Sequence, residues 1–350
     1  MVTFPSLLRR VFGSRVMNRA QRNRPAVAPR PQTGPTAGMS APPHAREPSA
    51  PPACLTPAHQ ADLHGRPGRP AGPYDGSGVM RDMTGQDRAP GGIDTSTPNI
   101  ARIYDYLLGG KDNFAADRGA AERLIGAIPD VAAIARDNRS FVARVVRYLA
   151  TEAGIRQFLD LGSGLPTQAN VHELAQAVAP DARVVYVDND PVVAVHGQAL
   201  LASGGQAGMV LGDLRDPAAV LQHPAVAGRL DLTRPVAVLC TSTLHFIASQ
   251  ARPHQIIAGY RDRIAPGSYL AITHGTREGD PRGEGAKAAD VFRRASSQLH
   301  LRPLPELLRF FDGFELVEPG LVWITQWRPD PQAAPTGRPQ SMRGGLGRKP

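Results

Sequence analysis

Three acidic residues end short apolar runs in this sequence, and two glycines stand beside the first of them. The run FLDLGSG contains Asp160 and turns through Gly162 and Gly164, whereas RVVYVD ends in Asp188 and AGMVLGD in Asp213. Because glycine has no Cβ, the backbone can turn tightly there and approach a ligand closely. The helix that follows would present free N–H groups to that ligand. The pattern predicts one ligand site at the ends of three strands.

Two classes of ligand use such a turn. A dinucleotide-binding fingerprint has a third glycine and receives a pyrophosphate, but Thr167 stands in the third position here. Asp160 would repel a pyrophosphate and suits a ligand that carries an ammonium group. Asp188 lies 24 residues beyond Gly164, where an acid accepts hydrogen bonds from ribose hydroxyls. Asp213 is placed to accept from an adenine amine. An amino-acid head, a ribose and an adenine together describe S-adenosylmethionine.

Short apolar runs alternate with helical stretches in the middle of the chain, which is typical of a parallel sheet covered on both faces. The predicted strands are QFLDL, RVVYVD, AGMVLGD, PVAVLCT and SYLAITH. Two further strands, FELVE and LVWITQW, are joined through Pro319-Gly320 and predict an antiparallel hairpin at the sheet edge. The fold class is therefore α/β, with a mostly parallel, seven-stranded sheet.

Three helices are predicted ahead of the first strand. The first starts at Thr97-Pro98 and ends at Gly109-Gly110, where glycine stops a helix. The second covers residues 115–128. The third begins at Pro129 and has apolar residues at three- and four-residue spacing, as a helix that buries one face does.

The two ends of the chain consist mainly of Pro, Ala, Gly and Arg, which predicts disorder for residues 1–90 and 331–350. Residues 91–154 then form an N-terminal helical cap, and residues 155–330 form the ligand-binding domain. The ends carry net charges of +7 and +4 out of +9, which leaves −2 for residues 91–330. The basic charge is therefore no evidence that the folded part binds nucleic acid.

The sequence also bears on the cellular setting. No run approaches the ~20 apolar residues of a membrane-spanning helix. The two cysteines, Cys54 and Cys240, form neither a disulfide framework nor a metal cluster. The Arg-rich first residues are similar to a transit peptide, but we favour a native tail or translated sequence upstream of the true start. We expect a cytoplasmic protein without a metal or a membrane partner.

The segments YDYLLGGKDNFAADR, DVAAIARDNRSFV, QFLDLGSGLPTQANVHE, VVYVDNDPVV, LHFI and FFDGFELVEPGLVWITQWRPD resemble an actinobacterial family of S-adenosylmethionine-dependent methyltransferases. That family was formerly catalogued as DUF574 and belongs to the class I methyltransferases. The resemblance implies a Rossmann-like fold, S-adenosylmethionine as the cofactor and a methyl acceptor that we expect to be a small molecule. Carried over by position, it implies cofactor contacts from Asp160, Gly162, Ser163, Gly164, Asp188, Asn189, Asp213, Leu214 and Thr241.

The segment YDYLLGGKDNFAADR is no phosphate loop, because no strand precedes its glycines and the lysine is not followed by Ser or Thr. We interpret it as a lid over the cofactor. Tyr104 and Tyr106 would face the sulfonium or the carboxylate, Gly110 would allow close approach, and Lys111 would pair with the carboxylate. A helix–turn–helix packed for stability alone is the alternative.

His245 follows the fourth strand, where a general base could remove a proton from the acceptor. A structural histidine is the alternative, because transfer from a sulfonium needs mainly in-line positioning. Two other functions stay open for the whole protein. One is an NAD(P)-dependent oxidoreductase on a similar sheet, and the other is a non-catalytic regulatory protein that keeps the cofactor fold.

Overall fold

A mixed β-sheet lies at the centre of the fold. The computed structural model describes residues 80–81, 87–88, 94–166, 169–201, 205–280, 282–331, 337–338 and 340–350. Within these residues the sheet has eight strands: β1 (Gln157–Leu161), β2 (Arg183–Asp188), β3 (Ala207–Leu211), β4 (Ala237–Thr241), β5 (Tyr269–Gly275), β6 (Glu315–Leu316), β7 (Val322–Trp323) and β8 (Met342–Arg348). Their order is β3-β2-β1-β4-β5-β8-β6, and β7 also pairs with β8.

Strands β1 to β5 are parallel, and β8 runs antiparallel to β5. This arrangement confirms the α/β class and the mostly parallel sheet. The side chains of β1, β2, β4 and β5 are almost all buried, since helices cover both faces and the runs are apolar without alternation.

Within the described residues, the helices are α1 (Ile100–Leu107), α2 (Ala115–Ala127), α3 (Val131–Thr151), α4 (Val171–Gln176), α5 (Pro191–Leu201), α6 (Pro217–Gln222), α7 (Pro224–Ala227), α8 (Pro253–Arg261), α9 (Glu284–Phe292) and α10 (Leu304–Leu308). One face of the sheet packs against α3 and α4, and the other packs against α6, α7, α8 and α10. None of these helices is both long and apolar enough to cross a membrane.

Four helices form a separate apolar cluster, which we call the cap: α1, α2, the start of α3, and α9. Its buried side chains are Ile103, Leu107, Ala120, Ala121, Leu124, Ala135, Ala288 and Phe292. The first helix starts later than predicted, because Asn99 rather than Thr97 caps it. The Asn99 side chain accepts hydrogen bonds from the N–H groups of Ala101 and Arg102. The sequence did not predict α9, which completes the cap from far downstream.

Arg102 joins the cap to the sheet. Its guanidinium lies 3.6 Å from a carboxylate oxygen of Asp117 in α2 and 3.6 Å from one of Asp190, which follows β2. All three side chains are buried. Asp117 also accepts hydrogen bonds from the backbone N–H groups of Asn99 and Phe114, at 2.8 Å each. The same carboxylate therefore holds the starts of α1 and α2.

The prediction that residues 331–350 are disordered is wrong for residues 342–348, which form β8. The strand pairs with β5 along its whole length, from Met342 opposite Gly275 to Arg348 opposite Tyr269. Its glycine content is typical of a low-complexity tail. In the fold, however, the absence of side chains at these glycines leaves space for aromatic rings. A Cβ added to Gly344 would lie 2.8 Å from a ring carbon of Phe141.

The structure also corrects which strands pair in the predicted C-terminal hairpin. The C-terminal strands are antiparallel, as expected, but β6 and β7 do not pair with each other. Each pairs with β8 instead, for example Gly347 with Leu316 and Gly344 with Val322. The sequence does not reveal β8, and without this strand its two neighbours look like partners of each other.

The predicted disorder of residues 1–90 lies almost wholly outside the described residues. Within that range the structure describes two short strands, Met80–Arg81 and Asp87–Arg88, which pair antiparallel.

Gly344→Ala is expected to destabilise the protein by about 1–3 kcal/mol, because the new methyl group would be forced against a buried ring. The matched control is Gly126→Ala in α2, where a Cβ meets nothing within 4 Å and alanine favours the helix. Urea denaturation measures both variants. Equal stability of Gly344→Ala and the wild type would contradict this account of β8.

Candidate functional site

A cavity of about 710 Å³ lies at the carboxyl ends of the parallel strands, beneath the cap. In open α/β sheets this edge is where ligands bind. Ten of the fourteen predicted site residues line it: Tyr104, Gly162, Ser163, Gly164, Asp188, Asn189, Asp213, Leu214, Thr241 and His245. The structure thus brings together segments that follow β1, β2, β3 and β4.

The turn after β1 has the close backbone approach that its glycines predicted. Gly162 has a φ of +72°, and a Cβ there would collide with the Thr243 side chain that follows β4. Its N–H donates to the Val187 carbonyl at 2.7 Å. Gly164 has a φ of +66°, and a Cβ there would meet nothing within 4 Å. One glycine is therefore required by packing, and the other leaves open space at the ligand cavity.

Asp188 is fixed by the backbone around it. One of its carboxylate oxygens accepts from the Gly164 N–H at 2.8 Å, and the other accepts from the Asp190 N–H at 3.0 Å. Burial raises the pKa of Asp188, and these N–H groups oppose the rise. The Asn189 N–H also acts on this carboxylate, and a carboxylate has about four acceptor sites, so acceptor capacity remains for a ligand. A ribose with two adjacent hydroxyl donors therefore fits this carboxylate.

Asp160 lies beside the main cavity, in a small recess of about 20 Å³ under Ser163 and Gly164. Its pKa is raised to about 7, mainly by burial and further by the negative charge of Asp188. The positive charge of Arg139 opposes that rise. A ligand ammonium would stabilise the ionised carboxylate, so the residue fits the amino-acid end of S-adenosylmethionine.

Asp213 lines the cavity, but its carboxylate is paired with the guanidinium of Arg215, whose Nε lies 2.8 and 2.9 Å from the two oxygens. These hydrogen bonds lower the pKa of Asp213. An adenine amine would share this carboxylate with Arg215. The neighbouring Leu214 carbonyl accepts from the Tyr260 hydroxyl at 2.9 Å, which holds the segment in place.

Tyr104 lines the cavity, yet its hydroxyl belongs to a hydrogen-bonded chain across the site. It donates to the Ala135 carbonyl and accepts from Asn138, both at 3.0 Å. The Asn138 oxygen accepts from the Thr273 hydroxyl, which accepts from the Ser242 N–H. The chain ties α1 and α3 to the ends of β4 and β5, so Tyr104 presents its ring rather than its hydroxyl.

Three predicted lid residues lie outside the cavity. Tyr106 donates to Glu122 of α2, and Gly110 and Lys111 are exposed. The GGKDN turn is closed instead around buried Asp105, which accepts from the Asp112 N–H and from the Asn113 amide at 2.9 Å each. Their placement does not support cofactor contacts. It agrees with the alternative of a helix–turn–helix that stabilises the cap.

His245 lines the cavity, but its environment does not suit a general base. Burial and the nearby positive charge of Arg302 lower its pKa to about 3. Its Nδ1 accepts from the Gly275 N–H at 3.2 Å. The proton of the neutral ring is therefore on Nε2, and the ring offers the cavity a donor. A ring with so low a pKa is a weak base, so this environment does not favour the predicted proton removal by His245.

Two arginines near the site were missed by the sequence analysis. Buried Arg302 donates to the carbonyls of Leu244 and Ile247 at 3.0 and 2.6 Å, and to His274 at 2.9 Å, and so fixes the turn that carries His245. Arg139 of α3 lines both the cavity and the recess. Spacing along the chain could not identify either residue, because each lies on a separate element that only the tertiary packing brings to the site.

The cavity extends from the glycine turn into an apolar chamber under the cap. Its walls include Leu107, Leu124, Ile128, Val131, Phe246, Ala288, Phe292 and Leu299. The Phe246 and Phe292 rings meet edge to face, with centroids 5.2 Å apart. Thr241 and His245 line the same cavity, and the His245 ring contacts Phe246 of the chamber wall.

Comparisons with known proteins agree with this geometry. The model of a family described as S-adenosyl methyltransferases matches residues 86–350. A DUF574 family protein from Streptomyces avermitilis is 42% identical, with a TM-score of 0.71 over 73% of this chain and 99% of that one. A candidate methyltransferase from Thermobifida fusca is 46% identical, with a TM-score of 0.70 over 74% and 98%. A search of curated proteins finds no match.

Asp160→Asn is expected to raise the melting temperature by several degrees at pH 8. The Asp160 carboxyl has its ordinary pKa of 3.8 in the unfolded chain, and burial raises this pKa to about 7 in the folded protein. Its ionisation therefore destabilises the fold increasingly as the pH rises from about 4 to 7. The amide never ionises, so the gain should shrink towards pH 4. Thermal unfolding across this range tests it, with exposed Asp181→Asn as the control. A gain independent of pH would contradict the assigned cause.

Proposed function

The chain belongs to the S-adenosyl methyltransferase family, and we propose that its acceptor is an apolar small molecule held in the chamber beneath the cap. Membership of the family makes the protein an S-adenosylmethionine-dependent methyltransferase. The observation that supports the placement of both ligands is one cavity, which joins the glycine turn and Asp188 to the apolar chamber.

We propose that three segments hold the cofactor. Asp188 receives the ribose hydroxyls, Asp213 and Leu214 flank the adenine, and the turn at Ser163 carries the methionine end. The Asp188 assignment is supported by its two fixed oxygens, which have more acceptor sites than the backbone N–H groups that hold them use. The Asp213 assignment is supported by its position on the cavity wall.

When bound, S-adenosylmethionine would supply a methyl group from a positively charged sulfur: the S–CH₃ bond would break as an acceptor lone pair forms the new bond in line with it, and S-adenosylhomocysteine would leave. The contribution of the protein is to position the acceptor and exclude water. Helices α1, α2 and α9 cover the chamber with apolar side chains. His245 would donate its Nε2–H to the acceptor and orient it.

Full-length protein is expected to bind S-adenosylhomocysteine in calorimetry, with at least a tenfold loss of affinity in Asp188→Asn. The amide replaces one of the two acceptor oxygens, and hydrogen bonds to a charged group contribute about 1.5–3 kcal/mol. Asp181→Asn, an exposed acid far from the cavity, is the matched control. Tighter binding of NADH than of S-adenosylhomocysteine would overturn the assignment.

The acceptor class is tested with methyl-labelled S-adenosylmethionine and fractions of a cell lysate. Label is expected in small molecules that partition into an organic solvent, since apolar side chains of the cap line the chamber. The same fractions treated with Asp188→Asn should carry much less label. Label that accumulates in protein or nucleic acid with the wild-type enzyme would contradict a small-molecule acceptor.

A further inference from the structure

His245 has one polar atom that no neighbouring residue uses. The side chain lines the cavity and is only 7% exposed. Its Nδ1 accepts from the Gly275 N–H, so the neutral ring carries its proton on Nε2. Among the residues that the structure describes, none accepts a hydrogen bond from this Nε2–H. Because a buried donor is normally paired, we expect a bound molecule to supply an acceptor atom here.

The orientation of the His245 ring is fixed by its surroundings. Arg302 donates to the carbonyls of Leu244 and Ile247, on the two sides of His245 in the chain. The His274 ring packs against the His245 ring at an interplanar angle of 89°, with the centroids 5.4 Å apart. The Nε2–H therefore has a set direction, and it can select where a ligand carries its acceptor atom.

An aromatic surface begins directly beside this donor. The centroid of the Phe246 ring lies 4.5 Å from that of His245, and the centroid of Phe292 lies 5.2 Å from that of Phe246. All three residues line the cavity. Aromatic rings prefer edge-to-face or offset contacts with centroids about 4.5–7 Å apart. A ligand ring packed against Phe246 and Phe292 would extend the same series of contacts.

Two carboxylates also line the cavity, at the start of α9, but both are engaged in holding that helix. Asp280 accepts from the backbone N–H groups of Glu284 and Gly285 at 2.8 Å each. Glu284 forms an ion pair with Arg282 at 2.8 Å. These contacts favour an uncharged ring in the chamber over a cationic acceptor.

We propose that the methyl acceptor is an aromatic molecule with an oxygen bonded directly to its ring. The ring packs against Phe246 and Phe292, and the oxygen accepts from the Nε2–H of His245. Because the His245 and Phe246 rings are in contact, the oxygen and the ring of the ligand must also be adjacent. The inference rests on the proposed function and names, within the apolar acceptors proposed there, the class that this chamber selects.

Two probes that differ in aromaticity test the proposal. Full-length protein saturated with S-adenosylhomocysteine is expected to bind naphthol about 2–10-fold more tightly than its saturated counterpart, decahydronaphthol, because the saturated rings lose the aromatic contact. Calorimetry measures both affinities. In Phe292→Leu, which keeps an apolar side chain but removes the ring, the ratio of the two affinities should fall to about one.

The matched control is Phe314→Leu, the same chemical change at a residue that packs in the core next to β6. This variant should keep the wild-type ratio. Unchanged affinity of Phe292→Leu for S-adenosylhomocysteine shows that the cavity is intact. Equal affinity of the wild type for the two probes would overturn the proposal, and so would a ratio that Phe292→Leu leaves unchanged.

The labelled product of the lysate experiment gives a second test. The purified product is expected to absorb ultraviolet light as an aromatic ring does, and its mass fragments should place an oxygen on that ring. A saturated labelled product would contradict the proposal, as would an aromatic one without such an oxygen. Failure of the proposed function looks different, because the wild type would then not bind S-adenosylhomocysteine, or label would not enter small molecules.

Discussion

The Arg102 guanidinium lies between two buried carboxylates, and this charge cluster is one of the contacts that set the relative position of cap and sheet. On the cap side the guanidinium forms an ion pair with Asp117, which also accepts hydrogen bonds from the backbone at the starts of α1 and α2. On the sheet side it forms an ion pair with Asp190, whose N–H donates to the Asp188 carboxylate. A buried charge that loses one partner costs about 3–5 kcal/mol. The cap is thereby tied within two residues of the proposed ribose-binding acid.

This connection gives the segment YDYLLGGKDNFAADR a role that differs from a lid. Its acids face inward: Asp105 closes the glycine turn, and Asp117 binds Arg102. Its exposed lysine contributes nothing to the cavity. The cap in turn supplies Tyr104 and Arg139 to the site, so the geometry of the ligand cavity depends on how firmly the cap is held.

Much of the fold could be predicted because its signals are local. The five parallel strands are short apolar runs, and the glycine turn and the acids at the strand ends follow from type and spacing. Strand β8 is not predictable from the sequence, because its glycines look like those of a flexible tail. Only the structure shows that Phe141 packs against Gly344 and requires a residue without a side chain there. Helix α9 was also missed.

Site residues were predictable where they stand at the end of a strand, and unpredictable where their role depends on a contact between distant segments. The tautomer of His245 depends on the N–H of Gly275, a contact across 30 residues. Arg139 reaches the recess from α3, and Arg302 reaches the His245 turn from beyond α9. Such contacts arise from tertiary packing, on which the spacing of residues along the chain carries no information.

The position of β8 has a consequence for how the protein is made. It lies between β5 and β6, yet it follows both in the chain. During synthesis, the edge of β5 therefore has no partner until residues 342–348 have left the ribosome. An unpaired, apolar strand edge is a template for intermolecular pairing. The edge of β5 would thus be prone to intermolecular pairing until β8 is available, and chaperone protection of this edge would matter most in that interval.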